Sequence, residues 1–395
     1  MPKRLPVTVI TGFLGAGKTT VLRHLLTRGG QRLAVMVNEF GSVGLDGDLI
    51  RSCGFCPEED VAGRLVELNN GCLCCTVQDD FLPTMETLLE RADQLDGIVV
   101  ETSGLALPRP LLQALDWPAI RSRVHVNGVV TLVDGEALAQ GSPVADADAL
   151  ERQRAEDPSL DHLTAIDELF EDQLQAADLV LISRADRLDA SAMADVKEGI
   201  SNKVRPGTAL LPVSQGQVET AVVLGLEHQA THQSHEHEHD DHHHDDHHHD
   251  HDDHDDHTHD DHDHDHDHDH DHDHHDHTHV EMVGSNVRVE GALDRQAVEQ
   301  LLPNLVRDQQ VLRLKGRVWL QGKALPLQVQ MVGPRLNSWF EAAPSHAWRP
   351  EVGCGADLVV LALNNTAASA VETALQRLVQ ATPAKASTAA AAPGS

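Results

Sequence analysis

Between residues 1 and 226 short, unbroken apolar runs recur, and the stretches between them place apolar residues at three-four spacing. The runs are VTVIT at 7–11, LAVMV at 33–37, GIVVE at 97–101, VNGVVTLVD at 126–134, ADLVLIS at 177–183 and ALLPVS at 209–214. A strand that is apolar on both faces needs cover on both, which helical crossovers between parallel strands supply. One crossover shows its pattern clearly, with Ile166, Leu169, Phe170, Gln173, Leu174 and Ala177 on a single helical face. The pattern predicts an α/β domain over 1–226, doubly wound around a mostly parallel sheet.

Beyond that point the texture changes twice. Residues 227–281 form a linker in which 43 of the 45 positions from 235 to 279 are His or acid, so that tract has no apolar residues for a core and the linker is predicted to be disordered. From 282 to 365 the runs VRVEGAL, QQVLRLKGRVWLQGKALPLQVQMVG and DLVVLAL surround one helical stretch, DRQAVEQLLPNL, which predicts a small α+β C-terminal domain. Residues 366–395 are expected to hold a terminal helix at 366–380 and then a disordered Ala/Pro-rich tail.

Charge alters this picture only locally. The chain of 395 residues carries a formal charge of −33, of which 20 acids with no Lys or Arg sit in 235–279, so the remainder is close to −13. A surface of that sign offers no attraction to nucleic acid or to an anionic membrane, and neither is expected as a partner. No apolar run approaches the roughly 18 residues that cross a bilayer, and the short N-terminal run leads into a glycine loop rather than a cleavage site. Six cysteines, mostly clustered as Cys53/Cys56 and Cys72/Cys74/Cys75, suit thiol chemistry in a reducing compartment, which makes the cytoplasm the expected location.

The strongest chemical signal follows the first strand. Gly12-Phe13-Leu14-Gly15-Ala16-Gly17-Lys18-Thr19-Thr20 matches the phosphate-binding pattern G-x-x-x-x-G-K-[ST] between a predicted strand and a predicted helix. There the glycines let backbone N–H groups turn toward phosphates, Lys18 reaches the β and γ oxygens, and Thr19 offers its hydroxyl to Mg²⁺. Glu101 ends the strand GIVVE and precedes Thr102-Ser103-Gly104, which suits an acid that holds Mg²⁺ and a glycine that senses the γ-phosphate. Glu39, just past another strand, is a candidate to bind metal or to orient water, while Asp46 and Asp48 are equally well explained as solvated loop acids. Ser183-Arg184-Ala185-Asp186 resembles the guanine-reading N-K-x-D element with two replacements. Asp186 would accept from guanine N1–H and the 2-amino group, Arg184 would lay its stem and planar head on the base, and Ser214 would touch the base as well. These residues point to GTP.

Cys72-Leu73-Cys74-Cys75 places three thiols between those phosphate segments. Three thiolates leave an open position on a tetrahedral ion, and they favour Zn²⁺, Co²⁺ or Cu⁺ over Mg²⁺ or Ca²⁺. Buried free thiols or a redox pair are the alternatives, and Cys53/Cys56 is as well explained by a second half-site, a disulfide or no function. The His/Asp tract, for example His242, His247, His262, His264 and His266, suits loose binding of several divalent ions, or is only a spacer.

GFLGAGKTT, VNEFGSVGLDGD, GCLCC, VVETSGLA and FEDQLQAADLVLISRAD together resemble the CobW family of P-loop metallochaperone GTPases, over nearly the whole chain up to about 365. The segments SCGFCPEED, CCTVQDDFLPTMETLL and ETSGLALPRPLLQALDWPAIRSR are similar to its cobalamin-biosynthesis branch. The resemblance implies a GTPase that uses Mg²⁺, with Lys18, Glu39 and Glu101 as its catalytic residues. It also implies Co²⁺ carried on Cys72, Cys74 and Cys75 to a cobaltochelatase or another metal-accepting protein. A zinc chaperone of the same family and a metal-storage protein built on the His tract are the rival readings, and a nucleotide-dependent homodimer is left open.

Overall fold

The computed structural model describes residues 4–28, 30–37, 65–67, 81–156, 166–225 and 282–381. Seven strands, β1 (Leu5–Thr11), β2 (Leu33–Val37), β3 (Leu65–Glu67), β4 (Gly97–Glu101), β5 (Val124–Asp134), β6 (Leu179–Ser183) and β7 (Ala209–Pro212), form one sheet in the order β3-β2-β4-β1-β5-β6-β7. Every pairing in it is parallel. Among the described residues the α-helices of this part are, in chain order, α1 (Lys18–Arg28), α2 (Leu82–Glu90), α3 (Pro108–Leu115), α4 (Gly135–Ala139), α5 (Ala147–Glu156), α6 (Ile166–Ala176), α7 (Ala190–Ser201) and α8 (Thr220–Leu224). Alternate strand residues serve opposite faces. Val7 and Val9 pack with Met85, Leu88 and Leu111 from α2 and α3, while Ile10 packs with Val21, Leu22 and Leu25 from α1. The doubly wound sheet read from the apolar runs is therefore present, and its central strand β1 opens into the glycine loop. The crossovers from β1 to β2 and from β4 to β5 run in opposite directions along the sheet, so the carboxyl ends of β4, β1 and β5 frame a crevice of the kind that binds ligands in such sheets.

The second sheet is antiparallel. Strands β8 (Val283–Glu290), β9 (Val311–Trp319), β10 (Leu327–Val332), β11 (Arg335–Phe340) and β12 (Gly355–Ala362) pair in the order β11-β10-β9-β12-β8. Its inner face, with Val287, Leu314, Val329 and Leu358, is covered by α9 (Arg295–Asp308) and α10 (Ala367–Ala381). Asp294 caps α9 through the Ala297 N–H at 3.0 Å, and the helix tolerates Pro303 and runs to Asp308, three residues past the stretch expected from sequence. The terminal helix is present as Ala367–Ala381, with Val371 and Leu375 buried in this same core. The linker at 227–281 lies outside the described residues. Among the described residues no helix is long and apolar enough to cross a membrane.

The two sheets meet at the amino end of β5, opposite the crevice. The register between β1 and β5 slips between Val7 and Thr8, and Asn127 sits at the irregularity, 1% exposed. Its amide donates to Thr8 Oγ1 at 2.8 Å and to the Leu224 carbonyl at 2.7 Å, and its oxygen accepts from Arg313 at 3.2 Å and from Gln330. Arg313 also donates to the carbonyls of Val222 and Val223 at the end of α8, where the helix dipole favours a cation. Burial pulls its guanidinium down to about 9, with Asp178 pulling the other way, so it stays charged at neutral pH. Replacing Arg313 with Met would keep most of the volume but strip these buried acceptors of their donor. Leaving buried acceptors without their charged donor costs about 3 kcal/mol, the upper range for an unsatisfied buried polar group. A fall in Tm of roughly 4 °C is expected for a unit of this size, and calorimetry showing less than about 1 °C would refute the assigned role.

Candidate nucleotide site

β1 runs directly into the Gly12–Gly17 loop, and α1 begins at Lys18. Gly12, Gly15 and Gly17 have φ of 137°, 77° and 97°, where side chains are strained, and a Cβ on Gly12 would lie 2.3 Å from the Leu132 carbonyl oxygen. The loop thus passes β5 at a distance that only glycine allows. Lys18 is 8% exposed, and its ammonium donates to the carbonyls of Gly12 at 2.8 Å and Phe13 at 3.2 Å, which holds the charge against the loop's own backbone. Ala16 is buried, Thr19 half-buried and Thr20 exposed at the start of α1.

Glu101 ends β4 in register with Ile10 and is 3% exposed. Its neighbour Thr102 is tied to β1 twice, by a hydroxyl contact to Thr11 at 2.9 Å and by its N–H to the Ile10 carbonyl at 2.9 Å. Gly104 then passes so close to the glycine loop that a Cβ there would sit 2.7 Å from the Leu14 nitrogen. The acid and the glycine expected from sequence therefore border the phosphate loop itself. A buried carboxylate at the end of β4 and a hydroxyl at Thr19 are oxygen donors of the kind that suits Mg²⁺.

The third wall follows β6. Ser183 donates to the Val133 carbonyl at 3.1 Å, and Arg184 turns into the left-handed region with φ 54° and ψ 34°. Its head donates to the Gly15 carbonyl at 3.2 Å and forms an ion pair with Asp134, which is 2% exposed. Asp134 also caps α4 through the N–H groups of Glu136 at 3.1 Å and Ala137 at 3.2 Å. The planar head expected over a base is thus engaged at the loop, which leaves the stem as the surface offered to a base. Asp134 was missed in the sequence, although its signal was there: an acid ending VVTLVD at the carboxyl edge of a parallel sheet. Asp186 is exposed in the turn Ala185–Arg187, and the Ala185 N–H donates to the Val213 carbonyl at 3.3 Å, which brings the Ser214 turn beside it. Gly216 in that turn passes Thr20 closely enough that a Cβ would meet its Cγ2 at 2.8 Å.

Lys18, Glu101, Gly104, Arg184, Asp186 and Ser214 thus lie on segments that converge on one edge of the sheet. Glu39, Cys72, Cys74, Cys75 and the tract residues His242, His247, His262, His264 and His266 lie outside the described residues, as do Asp46, Asp48, Cys53 and Cys56. Among the described residues no group of three or more His, Cys, Asp or Glu is placed to hold a metal ion.

Comparison with known proteins agrees with this geometry. Residues 6–212 match the family described as CobW/HypB/UreG, nucleotide-binding domain, and residues 282–379 match the cobalamin synthesis protein cobW C-terminal domain. A Sinorhizobium sp protein named zinc chaperone CobW is 41% identical over 392 residues, covering 95% of this chain and 98% of the relative. A Pseudomonas aeruginosa protein of the same name is 43% identical over 340 residues, covering 86% and 83% respectively. The zinc-regulated GTPase metalloprotein activator 1 of Schizosaccharomyces pombe is 45% identical over 138 residues, covering 33% of this chain and 32% of that protein.

Proposed function

Because the chain belongs to the CobW family of P-loop GTPases, we propose that it is a GTP-driven metallochaperone that carries Zn²⁺ on Cys72, Cys74 and Cys75 and releases it to a metal-requiring protein. The observation that carries the nucleotide half is the buried Lys18 ammonium held on the Gly12 and Phe13 carbonyls, beside the Glu101 strand end. Backbone N–H groups of the loop and the Lys18 charge bind the β and γ phosphates. Thr19 and Glu101, with Glu39, would hold Mg²⁺, which supplies charge neutralisation to the triphosphate. Asp186 and Ser214 take the guanine edge, and the Arg184 stem takes its face.

Zinc is preferred over cobalt as cargo because two relatives matched over most of their length bear zinc in their names. The cobalt reading keeps one support, the description of the matched C-terminal family as a cobalamin synthesis domain, and under it the acceptor is a cobaltochelatase. In the proposed cycle GTP draws the cysteine loop into a tight three-thiolate site and hydrolysis loosens it. A coupling of about 1.4 kcal/mol corresponds to tenfold in affinity. Zn²⁺ is therefore expected to bind at least about tenfold more tightly with a non-hydrolysable GTP analogue than with GDP, and Cys74→Ser to erase the difference. Equal affinities in the two nucleotide states would overturn the cycle. Preferential retention of Co²⁺ from an equimolar mixture would return the cargo to cobalt, against the order of intrinsic affinities.

A further inference from the structure

Gln173 lies on the buried face of α6 and is 1% exposed. Its side-chain nitrogen donates to the Gly104 carbonyl at 3.0 Å and to the Ala106 carbonyl at 3.3 Å. Both neighbours are acceptors, so the amide can point only one way. The oxygen that faces away from them is buried without a hydrogen-bond partner among the described residues. A buried acceptor left in that state is destabilising, which offsets part of what the two donated hydrogen bonds contribute to the stability of the fold.

The contacts of Gln173 fix the segment that borders the phosphate loop. Within Ser103–Ala106 the Ala106 N–H donates to the Ser103 carbonyl at 3.1 Å, and Gln173 holds the next carbonyl, that of Gly104, together with that of Ala106. In a trans peptide the N–H points opposite to the C=O, so fixing the Ser103 carbonyl also sets the direction of the Gly104 N–H. The same helix face touches the other phosphate segment, since Phe170 stacks on Phe13 with ring centroids 5.7 Å apart and planes 15° apart. The Gln173 carbonyl in turn accepts from Thr131 Oγ1 at 3.2 Å, and Thr131 pairs in register with Thr11, the residue before Gly12. One helix therefore holds both the glycine loop and the Gly104 turn.

We propose that Gln173 is a positioning residue for GTP hydrolysis, holding the Ser103–Ala106 turn in the orientation from which Gly104 meets the γ-phosphate. The proposal rests on the chain being a GTPase. Its consequence is selective: GDP, which has no γ-phosphate, should be bound almost equally well with or without the Gln173 contacts. Transition-state charge on the γ-phosphoryl should not be stabilised equally well.

Two variants test it, with the full-length protein, single-turnover GTP hydrolysis and GDP affinity as readouts. Gln173→Leu keeps the size and loses the donor. It is expected to lower kcat about 30-fold while changing GTP KM and GDP Kd less than about threefold, as for an interaction made mainly in the transition state. Gln173→Glu places a carboxylate against two carbonyls at neutral pH and regains a donor when protonated, so its rate is expected to rise as pH falls from 8 to 6 relative to that of the unmodified protein. GDP affinity certifies that each variant is folded. A Gln173→Leu variant that binds GDP normally and hydrolyses GTP within threefold of the unmodified rate overturns the proposal. So does a Gln173→Glu variant with an unchanged pH profile. Absence of GTP hydrolysis in the unmodified protein would instead overturn the activity on which the proposal rests.

Discussion

Replacing Lys18 with alanine is expected to lower kcat/KM for GTP by about 1,000-fold, the upper range for losing one preorganised donor to developing charge. At about 1.36 kcal/mol per tenfold, this corresponds to about 4 kcal/mol of transition-state stabilisation. The size follows from where the ammonium lies. It is 8% exposed and already fastened to the Gly12 and Phe13 carbonyls, so it need not be gathered from solvent when the triphosphate arrives. Its removal also leaves two carbonyl oxygens lining a loop meant for anions. GDP affinity should suffer less than turnover because the γ oxygens carry the larger change of charge. Single-turnover hydrolysis would decide, and a loss of less than tenfold would exclude the proposed role of Lys18.

The mechanism places this charge at one end of β5 and the junction between sheets at the other. Asp134, at the carboxyl end, pins Arg184 to the glycine loop, while Asn127, near the amino end, gathers Thr8, Leu224, Gln330 and Arg313. The second sheet thus leaves the nucleotide edge open while staying anchored on a strand that borders it. Leu312 of β9 extends this anchorage into the apolar core beneath α1.

Apolar periodicity was enough to read the parallel sheet because its strands are buried on both faces, so LAVMV and GIVVE coincide with β2 and β4. It was not enough for β11, where Arg335, Asn337 and Trp339 alternate with Leu336, Ser338 and Phe340 on an edge strand. There the outward residues are recruited by the junction: Asn337 donates to the Val126 carbonyl at 2.9 Å, and Arg335 pairs with the buried Asp178. The run QQVLRLKGRVWLQGKALPLQVQMVG divides into β9 and β10 at a turn that Gly322 and Pro326 mark, a signal carried by turn chemistry and not by apolar periodicity. In the candidate site, Gly12, Lys18 and Glu101 were legible because local spacing defines them. Asp134 was legible only as an acid ending a strand, and Gln173 only as part of a helical face, because their partners lie 50 and 69 residues away and only the folded sheet brings them to Arg184 and Gly104.

Changing Asp186 to Asn is expected to lower kcat/KM for GTP by roughly 1,000-fold and to make xanthosine triphosphate the better substrate. The carboxylate in the proposed site accepts from two guanine donors, N1–H and the 2-amino group. An asparagine amide keeps one acceptor and turns the other position into a donor, which opposes the 2-amino group and complements the 2-oxo group of xanthine. The full effect requires that Asp186 be held in place, and the surrounding geometry supplies this. The turn Ala185–Arg187 starts from a left-handed Arg184 whose head is locked to Asp134 and the Gly15 carbonyl, and the Ala185 N–H is bound to the Val213 carbonyl at 3.3 Å. Ser183 stands where the usual element has Asn, and its hydroxyl is spent on the Val133 carbonyl at 3.1 Å. In the proposed site base recognition would therefore rest on Asp186 more heavily than where the full element is present, and so should the loss on changing it. Competition between GTP and xanthosine triphosphate measures the inversion directly, and a variant that still prefers GTP by more than tenfold would remove Asp186 from the base site.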